Sequence, residues 1–144
     1  MLFSEYKLKG ITAKNRIVFP PVVCMGFTDE KNHVTQKNID HYTNVARGGS
    51  GLIITEAVSI EPTARLSLDQ IGAWDDDCIE GLAKIATAVH NEGLGVIAQI
   101  HHGVSSPFPA RRRFRLTSLL YFMARKFPVS VLLSKRSRIS KTSS

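Results

Sequence analysis

Cysteine is nearly missing from this chain. Its two cysteines, Cys24 and Cys78, exclude a disulfide framework and a paired Cys-x-x-Cys metal motif. Such sparing use suits a reducing compartment, so the expected location is cytoplasmic and no metal ligands are expected. Long apolar runs are also lacking. The first residues hold no apolar segment of the kind a secretory signal needs. The longest apolar stretch near the other end, residues 116–133, is interrupted by Arg125, Lys126 and Pro128, which makes it a poor bilayer span. Acid is distributed unevenly. Residues 1–104 carry 9 basic and 12 acidic side chains, net −3, whereas residues 105–144 carry 10 basic side chains and no acid. The formal +7 of the whole chain therefore belongs to its last forty residues or so, and says nothing about the partner of the rest.

Within residues 1–104 the order of patterns is regular. Residues 7–12 alternate around Gly10 and read as a short hairpin. Residues 16–23 follow as a buried strand that ends at Pro20 and Pro21, two residues that fix φ and remove backbone donors. A polar loop, residues 28–34, leads to Thr35, a helix cap. The helix it opens runs to about Arg47, with Ile39, Tyr42, Val45 and Ala46 on one face and Gly48 and Gly49 as its stop. Residues 51–58 are almost continuously apolar, as a strand covered on both faces requires. A long connection with Pro62, Arg65 and Asp69 ends at Asp75, Asp76 and Asp77. These three acids cap a second helix and oppose its dipole more simply than they bind a cation. Ile79, Leu82, Ala83, Ala86 and Val89 form its apolar stripe, Gly93 ends it, and residues 95–101 form a third strand.

Strand, helix, strand, helix, strand with short connections predicts an α/β fold with a parallel sheet. Periodicity alone leaves open whether that sheet is flat or closed into a barrel. The turn after the first strand lacks a Gly-x-Gly-x-x-Gly, which argues against a dinucleotide-binding Rossmann half.

The strands themselves carry a more specific signal. Asn15-Arg16-Ile17-Val18-Phe19-Pro20-Pro21, Gly51-Leu52-Ile53-Ile54-Thr55-Glu56-Ala57 and Gln99-Ile100-His101-His102, with Gly72-Ala73-Trp74-Asp75 ahead of the second helix, closely resemble the N-terminal part of the old yellow enzyme family. That resemblance covers about residues 1–102. It implies an FMN-dependent NADH:flavin oxidoreductase or ene-reductase, with NAD(P)H as reductant and a small-molecule electron acceptor. The implied fold is a TIM (β/α)₈ barrel, of which residues 1–104 hold the first three βα units, truncated and followed by an unrelated basic tail. It further implies that the backbone of Pro21, Val22 and Val23 borders the flavin, that Ala57 sits beside the ring, and that Gln99 offers its amide to the pyrimidine edge. All lie at strand C-termini, where such barrels keep their sites.

Some features depart from the family. Val23 stands where some relatives have a cysteine or threonine, and Cys24 comes one position later. The substrate-binding His-His or His-Asn pair, the proton-donating tyrosine, and the arginine and phosphate-binding turns that the resemblance places after the third strand have no counterpart after Val104. A barrel of about 250 residues is therefore represented by three strands. The inward surface expected from Ile17, Phe19, Ile53 and Ile97 lacks its opposite wall, so a piece of this kind is prone to aggregate unless completed. Residues 105–144 form a domain of their own, disordered or produced by a shifted reading frame. Their clustered arginines with Phe114, Tyr121 and Phe122 suit phosphates and bases, and so supply the alternative function of nucleic-acid or anionic-lipid binding. His101 and His102 are adjacent on a strand, point to opposite faces and cannot chelate one ion together. Cys24 reads as a small apolar filler rather than a reactive thiol.

Overall fold

Asn15 sets the start of the sheet. Its side-chain Nδ2 donates to the Gly49 carbonyl at 2.8 Å and its Oδ1 accepts from the Ile17 amide at 2.9 Å, which ties the entry of one strand to the turn before the next. A Cβ at Gly51 would lie 2.3 Å from the Asn15 carbonyl oxygen, so only glycine allows this approach. The computed structural model describes residues 1–8 and 10–103. The expectations for residues 105–144, including the domain boundary at 104, fall outside the described residues.

Eight elements among the described residues make up an α/β unit. A hairpin of β1 (Tyr6–Leu8) and β2 (Ile11–Ala13) precedes β3 (Val18–Phe19), α1 (Gln36–Arg47), β4 (Leu52–Ser59), a 3-10 turn (Pro62–Ala64), α2 (Asp77–Asn91) and β5 (Gly95–His101). The hairpin is antiparallel, as its alternation predicts. Strands β3, β4 and β5 form a parallel sheet in chain order, the expected result of two consecutive βαβ units. Thr35 caps α1 through its hydroxyl, which accepts from the Lys37 amide, and the Asn38 side chain reciprocates on the Thr35 amide. At α2 the capping falls one residue earlier than a triple-acid start suggests. Asp75 Oδ1 accepts from the Cys78 amide at 3.3 Å, and Asp76 makes no side-chain cap bond.

The faces of the sheet are now separable. Ile53, Val58 and Val96 pack with Tyr42, Ala46, Leu82, Ile85, Ala86 and Val89 of the helices, and Phe19 lies against the same cluster. Leu52 and Ile97 occupy the opposite face, where Ile11 and Ala13 of the hairpin cover them. The expected inward set of Ile17, Phe19, Ile53 and Ile97 is thus corrected: Phe19 and Ile53 face the helices, and Ile97 alone of the three placed by these clusters faces away. A run buried on both sides carries no sequence mark of which side is which. On α2, Cys78 and Ile85 are buried with the expected Leu82, Ala86 and Val89, while Ile79 is partly buried against the same cluster and Ala83 is half-buried.

The opening strand also needs correction. In place of eight buried residues, two enter the ladder, and Val18 is 45% exposed. Asn15 takes the Ile17 amide on one side and two prolines remove donors on the other, so pairing is cut short at both ends. Among the described residues β3 has one neighbour, β4, and so forms an edge. No helix among the described residues is long and apolar enough to cross a membrane.

Ile53→Ala is expected to lower the unfolding free energy by roughly 2–5 kcal/mol, against under about 1 kcal/mol for Val18→Ala. Denaturant melts of both variants check this, and equal losses would mean that the faces are assigned wrongly.

Candidate functional site

The β4–β5 ladder slips by one residue. Ile54 pairs with Ile97, but Ala57 pairs with Gln99, so Thr55 and Glu56 together oppose Ala98. This is a β-bulge, and it changes what the end of β4 presents. In a regular strand Ile53 and Val58, five residues apart, would face opposite ways. Here both pack on the helix side. Ala57 is thereby turned to the face of Ile97 and Gln99, at the C-terminal end of the sheet.

A bulge leaves backbone groups without ladder partners, and this one is buried. The Glu56 amide donates to the Tyr42 hydroxyl at 2.7 Å, and that hydroxyl in turn donates to Glu56 Oε1 at 3.4 Å. Thr55 Oγ1 accepts from the Gln99 amide at 3.3 Å. The second carboxylate oxygen, Oε2, accepts from the Cys24 amide at 3.1 Å. One side chain on β4 therefore holds the exit of β3 and is itself held by α1.

Burial decides the electrostatics. Glu56 is fully buried, and loss of hydration pushes its carboxyl up to about 7 despite opposing hydrogen bonds from the Cys24 amide and Tyr42 and the nearby Asn38 amide. Burial, then the Glu56 charge, pushes the Cys24 thiol up to about 11, and the same two causes, in the same order, raise the Tyr42 phenol. Cys24 keeps its proton, and the thiol donates a hydrogen bond to the Val22 carbonyl at 3.7 Å. It is no thiolate nucleophile at neutral pH. His41, its pKa lowered by burial, sits edge-on to Phe19, Phe27 and Tyr42, with ring centroids 5.9, 5.9 and 5.1 Å away, and packs the β3 exit onto α1.

The expected contact residues are arranged as follows. Ala57 and Gln99 are register partners on neighbouring strands. Ala57 is buried, and its carbonyl accepts from Gln70 Nε2 at 2.7 Å. Gln99 is exposed and its side-chain amide has no partner among the described residues. Pro21, Val22 and Val23 leave β3 at the same edge of the sheet, with Val22 54% exposed. The amides of Val22 and Val23 are also unspent among the described residues, whereas that of Cys24 is committed to Glu56. A flat heteroaromatic ring with acceptors along its edge fits this set: apolar surface, two free backbone donors and one free carboxamide. His101 Nδ1 lies 3.5 Å from Gln70 Nε2 and His102 Nε2 lies 3.0 Å from Glu61 Oε2, so the adjacent histidines do have separate partners.

The sequence marks Tyr42 only as part of a buried helix face and Glu56 only as part of a strand motif, and it gives Gln70 no role. A single carboxylate inside the apolar run 51–58 was the available signal, since a charge in a strand covered on both faces needs partners.

The model of the NADH:flavin oxidoreductase / NADH oxidase family matches residues 1–114. Among solved structures, the old yellow enzyme homologue from Zymomonas mobilis is 32% identical over 70% of this chain and 28% of that one, with a TM-score of 0.64. Old yellow enzyme from a Pichia species is 30% identical over 70% and 26%, with a TM-score of 0.65. Morphinone reductase in complex with tetrahydroNAD is 30% identical over 70% and 27%, with a TM-score of 0.63. The chain thus spans between 26% and 28% of the length of these three proteins.

A carboxyl raised from 4.5 to about 7 adds stability that is complete below pH 4.5 and is lost as pH rises through 7, with a slope of at most about 1.4 kcal/mol per pH unit. Thermal melts from pH 4.5 to 8 are expected to show this loss in the native chain and its absence in Glu56→Gln. Parallel profiles would remove Glu56 as the titrating group.

Proposed function

Because the chain belongs to the NADH:flavin oxidoreductase / NADH oxidase family, we propose that it is the N-terminal, flavin-facing part of an FMN-dependent oxidoreductase of the old yellow enzyme type. The observation that supports this is the pairing of Ala57 with Gln99 at the C-terminal end of the sheet, with Pro21, Val22 and Val23 following the same end of β3. FMN bound there would supply the redox chemistry, hydride transfer between NAD(P)H and an activated alkene or related acceptor.

The chain's own residues bind and orient. Val22 and Val23 offer N–H donors to acceptors on the ring edge. Gln99 offers both a donor and an acceptor, as the pyrimidine end of a flavin requires. Ala57 brings a methyl group instead of a longer side chain, so the ring can lie close to β4. Pro21 stiffens the path of the backbone that carries the donors. Glu56 acts through Cys24: by holding that amide it fixes the segment just after the two donors. Cys24 itself is protonated, so the chemistry of this edge is recognition rather than nucleophilic attack.

These residues form one wall. The groups that would activate a substrate, donate a proton or hold the FMN phosphate belong to later strands in the family resemblance. We therefore read the 144-residue chain as unable to turn over alone, and residues 105–144 as a segment separate from the barrel part.

Titrating the purified chain with FMN, followed by flavin fluorescence, tests the reading. Saturable binding is expected. Gln99→Ala should weaken it about tenfold, the value of one hydrogen-bonded contact of roughly 1.4 kcal/mol. Ala57→Leu should weaken it at least as much by filling the ring's place. Binding indifferent to both substitutions contradicts the site, and NADH oxidation with an enone by the 144-residue chain contradicts the one-wall reading.

A further inference from the structure

We propose a zinc site on the rim of the sheet's C-terminal edge, formed by His33, Asp75 and Cys78. Their ligand atoms all lie within 4.8 Å of one another, although 42 residues separate His33 from Asp75 in the chain. Cys78 Sγ is 3.3 Å from Asp75 Oδ1. A sulfur and an oxygen bound to one tetrahedral zinc at about 2.3 and 2.0 Å stand about 3.5 Å apart, so this pair is already at ligand spacing. One nitrogen, one sulfur and one oxygen are a donor set for a borderline-soft ion such as Zn²⁺. Calcium and magnesium require oxygen throughout.

The site is supported from outside. Asp29 Oδ1 accepts from the amides of Lys31 and His33 at 2.9 and 2.8 Å, and Asp29 Oδ2 lies 3.5 Å from His33 Nδ1. A carboxylate on the imidazole is the usual outer partner of a metal-bound histidine. The loop that carries His33 is fixed to the β4–α2 connection by four bonds, one of them from Asn32 Nδ2 to the Leu68 carbonyl. The Gly72 amide donates to the Asn32 carbonyl at 2.9 Å, Arg65 Nη1 donates to Asn32 Oδ1 at 2.5 Å, and Thr28 Oγ1 donates to the Asp69 carbonyl at 3.0 Å. Next to His33, Val34 packs onto α2 so closely that a Cβ at Gly81 would come within 2.7 Å of it.

Capping of α2 explains part of this arrangement, since Asp75 Oδ1 accepts from the Cys78 amide. It does not require an imidazole and a thiol to converge on the same carboxylate. Burial first, then the hydrogen bond to Asp75, holds the Cys78 proton, with a pKa of about 11. Zinc binding forms the Zn–S bond, breaks the S–H bond and releases one proton to solvent, with no change in oxidation state. Three protein ligands leave a fourth position for water or an anion. The ion would clasp the loop after β3 to the start of α2, beside the edge where Val22 and Val23 emerge, yet the site stands whether or not that edge binds flavin.

Equilibrium dialysis of the 144-residue chain against Zn²⁺, with metal analysis, and absorption spectroscopy with Co²⁺ test this. One zinc per chain and a thiolate-to-cobalt charge-transfer band are expected. Cys78→Ser should abolish the band. His33→Gln, at a partly exposed side chain, should lower zinc affinity at least about tenfold while leaving the fold intact. Cys24→Ser should change neither. Substoichiometric zinc, a band that survives Cys78→Ser or disappears in Cys24→Ser, or unchanged affinity in His33→Gln would overturn the assignment.

Discussion

The hydrogen bond from the Glu56 amide to the Tyr42 hydroxyl is the contact on which the arrangement depends. A bulge in a strand covered on both faces exposes a peptide N–H to an apolar interior, where an unpaired donor costs about 1–3 kcal/mol. Tyr42, projecting from α1, supplies the acceptor. With that donor satisfied the ladder can slip, Ala57 turns to the face of Gln99, and Val58 returns to the helices. Without the slip, Ala57 would point into the helical layer and no small residue would stand beside Gln99.

Glu56 also joins three elements through its two carboxylate oxygens. Tyr42 belongs to α1, Cys24 follows β3, and Glu56 is on β4. Loss of hydration outweighs the hydrogen bonds, which is why its carboxyl rises toward 7 rather than falling below 4.5. The same burial keeps Cys24 protonated. A stiff backbone carrying amide donors beside a protonated thiol suits holding a planar group, not attacking one. The hairpin β1–β2 closes the other end of the sheet over Leu52 and Ile97, so the two ends divide into a packed base and an open rim.

Much of the fold was legible. Thr35 as a cap, the apolar face of α1, the two-sided burial of β4 and the hairpin around Gly10 follow from local chemistry that the structure repeats. Faces were not legible, because a continuous apolar run such as 51–58 has no alternation from which to assign Ile53 or Phe19. The bulge was hidden for the same reason: it adds a residue to a strand without changing its composition. The resemblance named Pro21, Val22, Val23, Ala57 and Gln99, but the physical basis of their placement lies with Glu56 and Tyr42, which read as a strand charge and a core aromatic. His33, Asp75 and Cys78 share no spacing, since the fold alone brings the two loops together.

The flavin-facing role proposed for this chain requires that the backbone after β3 and the end of β5 receive one flat ligand together. Nitrogen-15 NMR of the chain during addition of FMN tests it most directly, with Val22 and Val23 read through their amides and Gln99 through its side-chain NH₂. These three signals are expected to shift together along one saturation curve, while the amide of Cys24, committed to Glu56, shifts less. FMN binding that leaves Val22, Val23 and Gln99 unmoved, with shifts gathered elsewhere on the chain, would contradict it.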